Sequence, residues 1–331
     1  MAVLVTGGGG YIGSHMVWAL LDANEDVVVI DRLSTGFRWA IAPEARFYEG
    51  DIADQSLMAT IFAENSIDAI IHFAGSIVVP DSVADPLGYY ENNTVKSRSL
   101  IESAVKAGVP YFVFSSTAAV YGTPDVLEPV TETVPLRPES PYGSSKLMTE
   151  IMLRDTAAAH PFTYTALRYF NVAGADPKGR SGQSSALATH LIKVACATAL
   201  GKRPSMSVFG TDYPTPDGTC VRDYIHVWDL VQAHLKALQR MRAGGGSLAA
   251  NCGYGHGFSV LEVLDTVKKV HGAEFPVTFA GRRAGDPAMI VANPALARQE
   301  LGWEPEFDDL ERIVRSALDW EDRLSRRNAV D

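Results

Sequence analysis

The stretch that decides the fold is Val3-Leu4-Val5-Thr6-Gly7-Gly8-Gly9-Gly10-Tyr11-Ile12-Gly13, near the start of the chain. An apolar run of strand length leads directly into a glycine turn, and a helical pattern follows the turn. Backbone N–H groups at the N-terminus of such a helix bind a pyrophosphate. The stretch therefore predicts the first strand–turn–helix unit of a dinucleotide-binding sheet.

Three glycines in this turn, Gly7, Gly10 and Gly13, have different expected roles. Gly7 permits the tight turn, Gly10 lets the backbone approach the pyrophosphate, and Gly13 lets the helix pack close to the strand. A three-glycine pattern is weak evidence by itself, because glycine turns after strands are common. The strand before it, the helix after it and an acidic end to the next strand make cofactor binding the better interpretation.

That acidic residue is Asp31, whose carboxylate is placed to accept hydrogen bonds from an adenosine ribose. A carboxylate at this position repels a 2′-phosphate, which favours NAD over NADP. Arg32 is evidence in the other direction, because arginine is used at NADP sites. Asp51 and Ile52 follow a later strand and are expected to meet the adenine, although Asp51 has a simpler interpretation as a helix N-cap.

The first half of the chain alternates short apolar runs with longer helical patterns. Strands are predicted over residues 2–6, 27–30, 46–49, 69–73, 111–115 and 163–167, and helices over residues 11–23, 55–64, 88–107 and 142–159. Most of the strand runs do not alternate, as expected for strands buried on both faces. This rhythm predicts an α/β fold with a Rossmann-type doubly wound parallel sheet.

After Asn171 the rhythm breaks into a polar loop over 176–185 and then into shorter elements. We predict an NAD-binding domain over 1–171 and a smaller C-terminal α/β substrate domain over 172–331. Segments of the second half such as 222–240 are expected to pack back on the first domain. Ser259 and Glu262 have the spacing of a capping box that opens an apolar helix.

Composition limits the class of protein and its partners. A formal net charge of −10 argues against a nucleic-acid surface, and 47% hydrophobic residues suffice for a globular core. The cysteines are odd in number and far apart, so neither a disulfide framework nor a metal site is predicted. No leader pattern is visible, and no apolar run reaches the roughly 18 residues that a membrane span needs. We therefore expect a cytoplasmic protein without a membrane or nucleic-acid partner.

Tyr142 and Lys146 are four residues apart at the start of a predicted helix, so they share a face. A tyrosine of ordinary pKa, about 10, is a poor base at neutral pH. A nearby ammonium and a nicotinium charge favour the phenolate, and Lys146 can supply the first and hold the nicotinamide ribose. A Tyr-x-x-x-Lys pattern alone is most often an exposed helix turn, but a dinucleotide site changes that balance.

Two strand ends are expected beside this pair. Ser115, Ser116 and Thr117 end one strand at the edge where parallel sheets bind ligands, so a hydroxyl there can share the proton that moves. The segment 73–75, Phe-Ala-Gly, ends another strand, and its small residues let the backbone approach the cofactor. The simpler interpretation of that second segment is an ordinary strand-to-loop turn.

Together these segments resemble the extended short-chain dehydrogenase/reductase family, and within it the epimerases that act on UDP-sugars. The resemblance covers nearly the whole chain, with segments 3–8, 11–15, 71–75, 140–143 and 167–171 shared across the wider family. The segments 212–215, Asp-Tyr-Pro-Thr, and 221–226, Val-Arg-Asp-Tyr-Ile-His, are much more particular to the epimerases. Segments 217–219 and 282–283 also match.

The resemblance implies a role for each matched residue. Tyr142 takes the proton of the sugar 4-hydroxyl, Lys146 tunes Tyr142 and binds the ribose, and Thr117 is the catalytic hydroxyl. The implied cofactor contacts are Gly7, Gly10, Tyr11, Ile12, Gly13, Asp31, Asp51, Ile52, Phe73, Ala74, Gly75, Asn93, Ser115, Tyr142, Lys146 and Phe170. The implied substrate contacts are Thr117, Asn171, His190, Val208, Phe209, Arg222, Arg283, Asp286 and Ile290, with the two arginines on the diphosphate.

The activity that the resemblance implies is an NAD-dependent isomerisation of UDP-hexoses, which interconverts UDP-glucose and UDP-galactose by transient oxidation at C4, in a homodimer. The alternatives are an epimerase for UDP-N-acetylglucosamine, UDP-glucuronate or a UDP-pentose, a sugar-nucleotide dehydratase, a dehydrogenase and an NAD-sensing binding protein. Dehydratases of this fold place an acidic pair after the catalytic threonine, whereas Ala118 and Ala119 follow Thr117 here. A dehydrogenase would consume free NAD, and the intact Tyr142, Lys146 and Thr117 argue against a non-catalytic protein.

Three positions depart from the family pattern. Ile77 stands where some members have a lysine that reaches the cofactor, so one cofactor contact is expected to be missing. His190 stands where some members have an asparagine, and an ordinary exposed histidine is the simpler interpretation. Ile290 stands where some members have a tyrosine, which bears on the sugars that the site accepts.

Overall fold

The computed structural model describes residues 1–185, 188–283 and 285–327. The strands in these ranges are β1 (Ala2–Thr6), β2 (Asp26–Asp31), β3 (Arg46–Glu49), β4 (Ile67–His72), β5 (Tyr111–Thr117), β6 (Thr163–Tyr169), β7 (Asn171–Ala173), β8 (Met206–Phe209), β9 (Val221–Arg222), β10 (Tyr224–His226), β11 (Leu248–Cys252), β12 (Phe258–Ser259), β13 (Val277–Ala280) and β14 (Met289–Ile290). The α-helices are α1 (Tyr11–Asp22), α2 (Gln55–Glu64), α3 (Val79–Ala84), α4 (Pro86–Tyr89), α5 (Lys96–Ala107), α6 (Pro141–Ala159), α7 (Leu191–Ala199), α8 (Val227–Arg242), α9 (Val260–His271), α10 (Ala295–Leu301) and α11 (Leu310–Arg327). None of these helices is both long enough and apolar enough to cross a membrane.

Seven strands form one sheet in the order β11-β6-β5-β4-β1-β2-β3, and every neighbouring pair is parallel. The central strand β1 is buried along its whole length. Val3 and Val5 join the hydrophobic core on one face of the sheet, and Leu4 joins the core on the other. Burial on both faces explains the unbroken apolar run, and the predicted Rossmann-type doubly wound sheet is confirmed.

The second half of the chain contributes directly to this sheet. Strand β11 pairs in parallel with β6, and α8 packs against α1, β5 and β6. At the end of α8, Arg242 donates hydrogen bonds to the carboxylates of Asp68 (2.8 and 2.9 Å) and Glu25 (2.6 Å). The domain boundary at residue 171 stays a prediction. Strand β11 is nevertheless part of the seven-stranded sheet, and α8 packs directly against that sheet.

The predicted helix over 88–107 differs from the structure, which places three helical pieces there. After α4, residues 90–95 form a π-helical turn, and α5 follows it without a break. Asn93 lies in this turn. Its side-chain amide forms hydrogen bonds with the backbone of Ser76, in the loop after β4. A π-helical turn widens a helix locally and often marks a functional position.

Three small sheets carry the rest of the predicted substrate segments. Strand β7 pairs with β10, β8 pairs with β13, and β9 lies between β12 and β14. The register places Ile290 opposite Arg222 and Asn171 opposite Tyr224. The capping box is confirmed, because Ser259 and Glu262 exchange side-chain-to-backbone hydrogen bonds at the start of α9.

Candidate active site

The candidate site lies along the carboxyl edge of the seven-stranded sheet. The glycine turn follows β1, the segment 73–75 follows β4, Thr117 ends β5 and Phe170 follows β6. The connections from β1 and from β4 leave in opposite directions, because β2 and β5 lie on opposite sides of that pair. In doubly wound sheets the ligand binds at such a switch point.

The three glycines of the turn meet different surroundings. Gly7 has φ of +72°, and a Cβ there would lie 2.8 Å from the backbone nitrogen of Ala74. A Cβ at Gly13 would lie 2.1 Å from the carbonyl oxygen of Gly7. A Cβ at Gly10 would meet protein only at that same oxygen, at 3.3 Å. The protein itself therefore requires glycine at 7 and 13, whereas the space beside Gly10 is open to a ligand.

The adenosine end of the candidate cofactor site is defined by Asp31. Its carboxylate accepts hydrogen bonds from the backbone of Gly9 and of Leu33, both at 2.8 Å, so it is fixed at the end of β2 beside the turn. Arg32 lies 3.5 Å from the carboxylate of Asp51. The charge of Asp51 therefore offsets that of Arg32, which was the one residue that favoured NADP over NAD.

Asp51 does not cap a helix. The N-cap of α2 is Asp54, whereas Asp51 accepts a hydrogen bond from Lys96 at 2.5 Å. The simpler sequence interpretation of Asp51 was therefore wrong. Ile52 is buried in the hydrophobic core that also contains Leu4 of β1.

These features fit a bound dinucleotide. Open space beside Gly10 at the N-terminus of α1, backbone N–H groups in the turn and a fixed carboxylate at Asp31 match a pyrophosphate and a ribose. Tyr11 and Ile12 begin α1 and are half-buried, and the hydroxyl of Tyr11 donates to the carbonyl of Gly174 at 2.7 Å.

Tyr142 and Thr117 are brought together by the start of α6. Ser140 caps this helix, and Tyr142 is its second residue. The side chains of Thr117 and Tyr142 interact through a hydrogen bond that lowers the pKa of the Tyr142 phenol. A Cβ at Gly143 would lie 2.5 Å from the carbonyl oxygen of Ala119, so only glycine allows the helix to begin this close to the end of β5.

Lys146 lies one turn further along α6 and is buried, at 5% exposure. Its Nζ lies 4.5 Å from the centroid of the Phe114 ring, a cation–π contact. Burial lowers the pKa of Lys146 to about 8, and the carboxylate of Glu150 partly opposes that shift. Lys146 therefore holds its proton less strongly than an exposed lysine does.

Burial raises the pKa of Tyr142, the nearby Tyr169 phenol adds to that rise, and the hydrogen bond from Thr117 lowers it in part. The protein alone therefore leaves this phenol protonated at neutral pH. A base at this position needs further positive charge beside it, as the sequence argument assumed for a nicotinium ring. Ser115 is buried next to Tyr169 at the end of β5.

Asn93 connects the cofactor loop to the catalytic helix. Its Oδ1 accepts from the backbone of Ser76 at 2.7 Å, and its Nδ2 donates to the Ser145 hydroxyl at 3.1 Å. Gly75 lies directly beside it, where a Cβ would come within 3.0 Å of Oδ1. Phe170 packs with Ala118, Ala292 and Ile290 at the other side of Thr117.

The two candidate diphosphate arginines are differently placed. Arg222 is buried at 9% exposure and forms an ion pair with Asp286. Arg283 is exposed, and its guanidinium carbon lies 3.8 Å from the centroid of the Phe209 ring. Val208 is fully buried in the hydrophobic core, so its side chain is unavailable to a substrate.

The remaining positions singled out in the sequence are Asn171, His190 and Ile77. Asn171 donates its backbone N–H to the carbonyl of Asp223 at 3.0 Å, which leaves its side chain available. His190 is exposed before α7 and lines a small cavity together with Tyr11 and Trp320. Ile77 is 49% exposed, so it does not replace the missing lysine contact.

Sequence reasoning missed several groups that shape the site. Gly143, Lys96 and the buried pair Glu150–Arg168 were not singled out. Glu150 follows Lys146 by four residues on one helix, and that spacing was a usable signal. Nothing local to Gly143 or Lys96 indicated which backbone or side chain each one meets. Within the described ranges, no group of three His, Cys, Asp or Glu side chains is arranged to hold a metal ion.

Comparison with known proteins agrees with this geometry. The UDP-glucose 4-epimerase of Azospirillum brasilense is 56% identical over 98% of this chain and 93% of that protein. The structure of the Bifidobacterium longum UDP-glucose 4-epimerase in complex with NAD+ and UDP superimposes with a TM-score of 0.92, at 40% identity over 98% of both chains.

The UDP-Glc/GlcNAc 4-epimerase of Campylobacter jejuni superimposes with a TM-score of 0.85, at 47% identity over 97% of this chain and 99% of that one. The NAD dependent epimerase/dehydratase family matches residues 3–253, which include the glycine turn, Thr117, Tyr142 and Lys146. The chain therefore belongs to the NAD dependent epimerase/dehydratase family.

Proposed function

We propose that this chain is an NAD-dependent isomerase that interconverts UDP-glucose and UDP-galactose by transient oxidation at C4. The observation that carries the proposal is the burial of Tyr142, Thr117 and Lys146 together at the sheet edge that carries the glycine turn. Relatives that cover nearly the whole chain are UDP-glucose 4-epimerases, and one is solved with NAD+ and UDP.

In this proposal the chain's residues move one proton and hold the sugar. Tyr142 takes the proton of the 4-hydroxyl, and the hydrogen bond from Thr117 stabilises the phenolate that accepts it. NAD, when bound, would supply the remaining positive charge beside Tyr142 and would accept the hydride from C4. The 4-keto sugar then turns in the site, and Tyr142 returns the proton after hydrogen is restored to the opposite face.

Incubation of purified protein with UDP-galactose, followed by chromatography of the products, tests the proposal directly. UDP-glucose is expected to form without added NAD, because the cofactor is regenerated in each cycle. UDP-N-acetylgalactosamine and UDP-galacturonate in parallel reactions separate the alternative epimerases. Conversion of either of these sugars without conversion of UDP-galactose would replace the proposed substrate.

The residues proposed for the cofactor are those at the switch point. The turn containing Gly7, Gly10 and Gly13 takes the pyrophosphate, and Asp31 takes the adenosine ribose. Asp51 and Ile52 are proposed to meet the adenine. Asn93 and Phe170 are proposed to lie along the nicotinamide, and Lys146 is proposed to bind its ribose. The further proposed cofactor contacts are Tyr11, Ile12, Phe73, Ala74, Gly75, Ser115 and Tyr142.

For the substrate, Arg222 and Arg283 bind the diphosphate of the UDP group. Asp286 and the carbonyl of Val221, which accepts from Nη1 at 2.8 Å, hold the guanidinium in place, and its remaining N–H groups are proposed to bind the diphosphate. Phe209 lies under Arg283. Asn171 and His190 are proposed as further contacts, and Val208 contributes only backbone atoms because its side chain is in the core.

Arg222→Ala and Arg283→Ala are each expected to weaken UDP binding by about 1.5–3 kcal/mol, the usual contribution of a hydrogen bond to a charged group. NAD binding should change much less. Calorimetric titration with UDP measures both variants, and Arg154→Ala removes an exposed arginine from the distant part of α6 as a control. Unchanged UDP affinity in both variants would place the diphosphate elsewhere.

Ile290 is proposed to line the end of the sugar pocket. It packs against Ala118, which follows Thr117, and against Phe170, and it pairs in register with Arg222. Isoleucine is shorter than the tyrosine that some relatives have, so space remains beside the C2 substituent. UDP-glucose and UDP-galactose are therefore the main substrates, and the N-acetylated pair is converted more slowly.

Ile290→Tyr is expected to suppress conversion of UDP-N-acetylgalactosamine much more than conversion of UDP-galactose, because the larger ring fills that space. Ratios of kcat/KM for the two sugars measure the effect, and Ile290→Leu keeps the volume as a control. Equal loss of both activities in the tyrosine variant would show that Ile290 does not determine which sugars are accepted. The same would follow if the wild type does not convert UDP-N-acetylgalactosamine.

A homodimer in the cytoplasm completes the proposal. Helices α3, α4 and the π-helical turn pack against α6, and this layer exposes apolar side chains on several of its members. The exposed residues are Val83, Leu87, Val95, Met148 and Ile151. Exposed apolar patches of this kind mark protein–protein contacts, and a second copy of the same face is the simplest partner.

Ile151→Asp is expected to convert the dimer to a monomer, because it places a charge in that apolar face. Sedimentation velocity should give the wild type twice the mass of the 35.7 kDa chain and the variant that mass once. Phe279→Asp, at an exposed phenylalanine outside this face, is the control. A wild type that sediments as a monomer contradicts the dimer.

A further inference from the structure

A buried ion pair lies one helical turn beyond Lys146, and the mechanism above does not use it. The side chains of Arg168 on β6 and Glu150 on α6 are only 6% and 8% exposed. Arg168 donates from Nη2 to Glu150 Oε2 at 2.6 Å and from Nε to both carboxylate oxygens at 3.1 and 3.2 Å. The two groups are therefore locked in a bidentate arrangement.

Neutral side chains form further hydrogen bonds with Glu150 Oε1 and with Arg168 Nη1. The hydroxyl of Ser116, the residue before Thr117, donates to Glu150 Oε1. Arg168 donates from Nη1 to the hydroxyl of Tyr121 at 3.0 Å, and that hydroxyl donates to Asn251 on β11 at 2.7 Å. The network thus joins α6 to the ends of β5, β6 and β11, directly beneath the reacting groups.

Stability alone is a poor reason for this arrangement. Removing two charges from water has a large desolvation penalty, and well-packed apolar side chains of similar volume often stabilise a protein as well or better. The position of the pair is more informative. Glu150 follows Lys146 by four residues, so the carboxylate and the ammonium lie on one face of α6.

The titratable groups around the reacting pair come from five elements. They are Glu150 on α6, Arg168 and Tyr169 on β6, His72 on β4, His234 on α8 and Tyr89 on α4. Burial lowers the pKa of His72 to about 3 and that of His234 to about 4, so both are neutral at pH 7. Tyr169 is a buried phenol with a raised pKa and is also neutral. Among these groups, Glu150 and Arg168 are the charged ones.

We propose that Glu150, held by Arg168, is a positioning residue that keeps the ammonium of Lys146 charged beside Tyr142. The carboxylate favours the protonated form of Lys146, and Arg168 fixes that carboxylate so that it does not rotate away. Ser116 carries the same network to the strand end that bears Thr117. The inference rests on the roles proposed above for Tyr142 and Lys146.

Glu150→Gln removes the anion and leaves the Arg168 cation unopposed, and both changes disfavour the proton on Lys146. The titration midpoint of Lys146 in the NAD-bound protein should fall by about one pH unit, as for other close charge pairs. The alkaline limb of the pH–rate profile should move in the same direction. Glu150→Gln combined with Arg168→Gln removes both charges and should recover more than half of the shift.

Lys146 can be observed without relying on turnover. Lysine labelled with carbon-13 at the ε position reports its own protonation by NMR, and the signal that is absent in Lys146→Met identifies the residue. Ser116→Ala removes one hydrogen bond to the carboxylate without changing charge, so its midpoint should stay near that of the wild type. If Glu150→Gln does not fold, Glu150→Asp withdraws the carboxylate and should give a smaller shift of the same sign.

A midpoint that is unchanged in the folded Glu150 variant would overturn the proposal. Complete recovery of the midpoint in the double variant would also overturn it, because the buried pair would then have no net effect on Lys146. Failure of the proposed function is a separate outcome. It would appear as a wild type that does not convert UDP-galactose, whatever Lys146 does in the NMR titration.

Discussion

Tyr142→Phe is expected to lower kcat for UDP-galactose by about 10²–10⁴-fold, the usual contribution of a general acid–base residue. The ring stays in its buried place beside Thr117, but the oxygen that receives the 4-hydroxyl proton is gone. UDP affinity and thermal stability should persist, because only one hydroxyl is removed. Steady-state kinetics and calorimetric titration with UDP measure the two expectations on the same preparation.

A matched control for this variant lies on the strand that carries Thr117. Tyr111 is the first residue of β5, and Thr117 is the last, so the two lie at opposite ends of the strand. Tyr111→Phe therefore makes the same chemical change far from the proposed site. Its kcat should remain close to that of the wild type. A Tyr142→Phe enzyme with nearly full activity would contradict the assignment of the base, whatever the control does.

Gly13→Ala is expected to destabilise the protein by about 1–3 kcal/mol, as overpacking typically does, and to abolish retention of NAD. Its Cβ would lie 2.1 Å from the carbonyl oxygen of Gly7, and backbone cannot move aside as a flexible side chain does. The helix would therefore have to shift away from β1 and from the turn that we propose to bind the pyrophosphate. Urea unfolding of cofactor-free protein measures the first effect, and NAD released on denaturation measures the second.

Gly10→Ala is the matched variant in the same turn. A methyl group there meets protein only at 3.3 Å, so it should lower stability by no more than about 0.5–1 kcal/mol, the effect of a poorer N-cap residue. It should nevertheless weaken NAD binding, because the methyl group enters the space proposed for the pyrophosphate. Retention of NAD by Gly10→Ala would move the pyrophosphate away from this turn.

The sheet was predictable because its central strands are buried on both faces. The run Val3-Leu4-Val5 can be recognised without knowing what surrounds it, and each residue then joins one of the two cores. Strand β11 was missed for the opposite reason. Its sequence, Leu-Ala-Ala-Asn-Cys, has little apolar bulk, and its place beside β6 depends on a long-range pairing.

The site shows the same division between local and long-range information. The spacing of Tyr142 and Lys146 is local, and one helix is enough to place both on one face. The π-helical turn around Asn93 is not local, because its amide is held by Ser76 and Ser145 from two other elements. The substrate contact predicted for Val208 stays a prediction, and it concerns backbone atoms because β8 directs the side chain into the core.

The most direct test of the central claim follows the hydrogen at C4. UDP-galactose deuterated at that carbon should yield UDP-glucose that keeps the label at C4, with no free reduced cofactor accumulating as substrate is consumed. Mass spectrometry and NMR of the product, together with absorbance of the solution, measure both quantities in one reaction. Label lost to solvent, or reduced cofactor released in step with conversion, would contradict oxidation and return of hydrogen within one site.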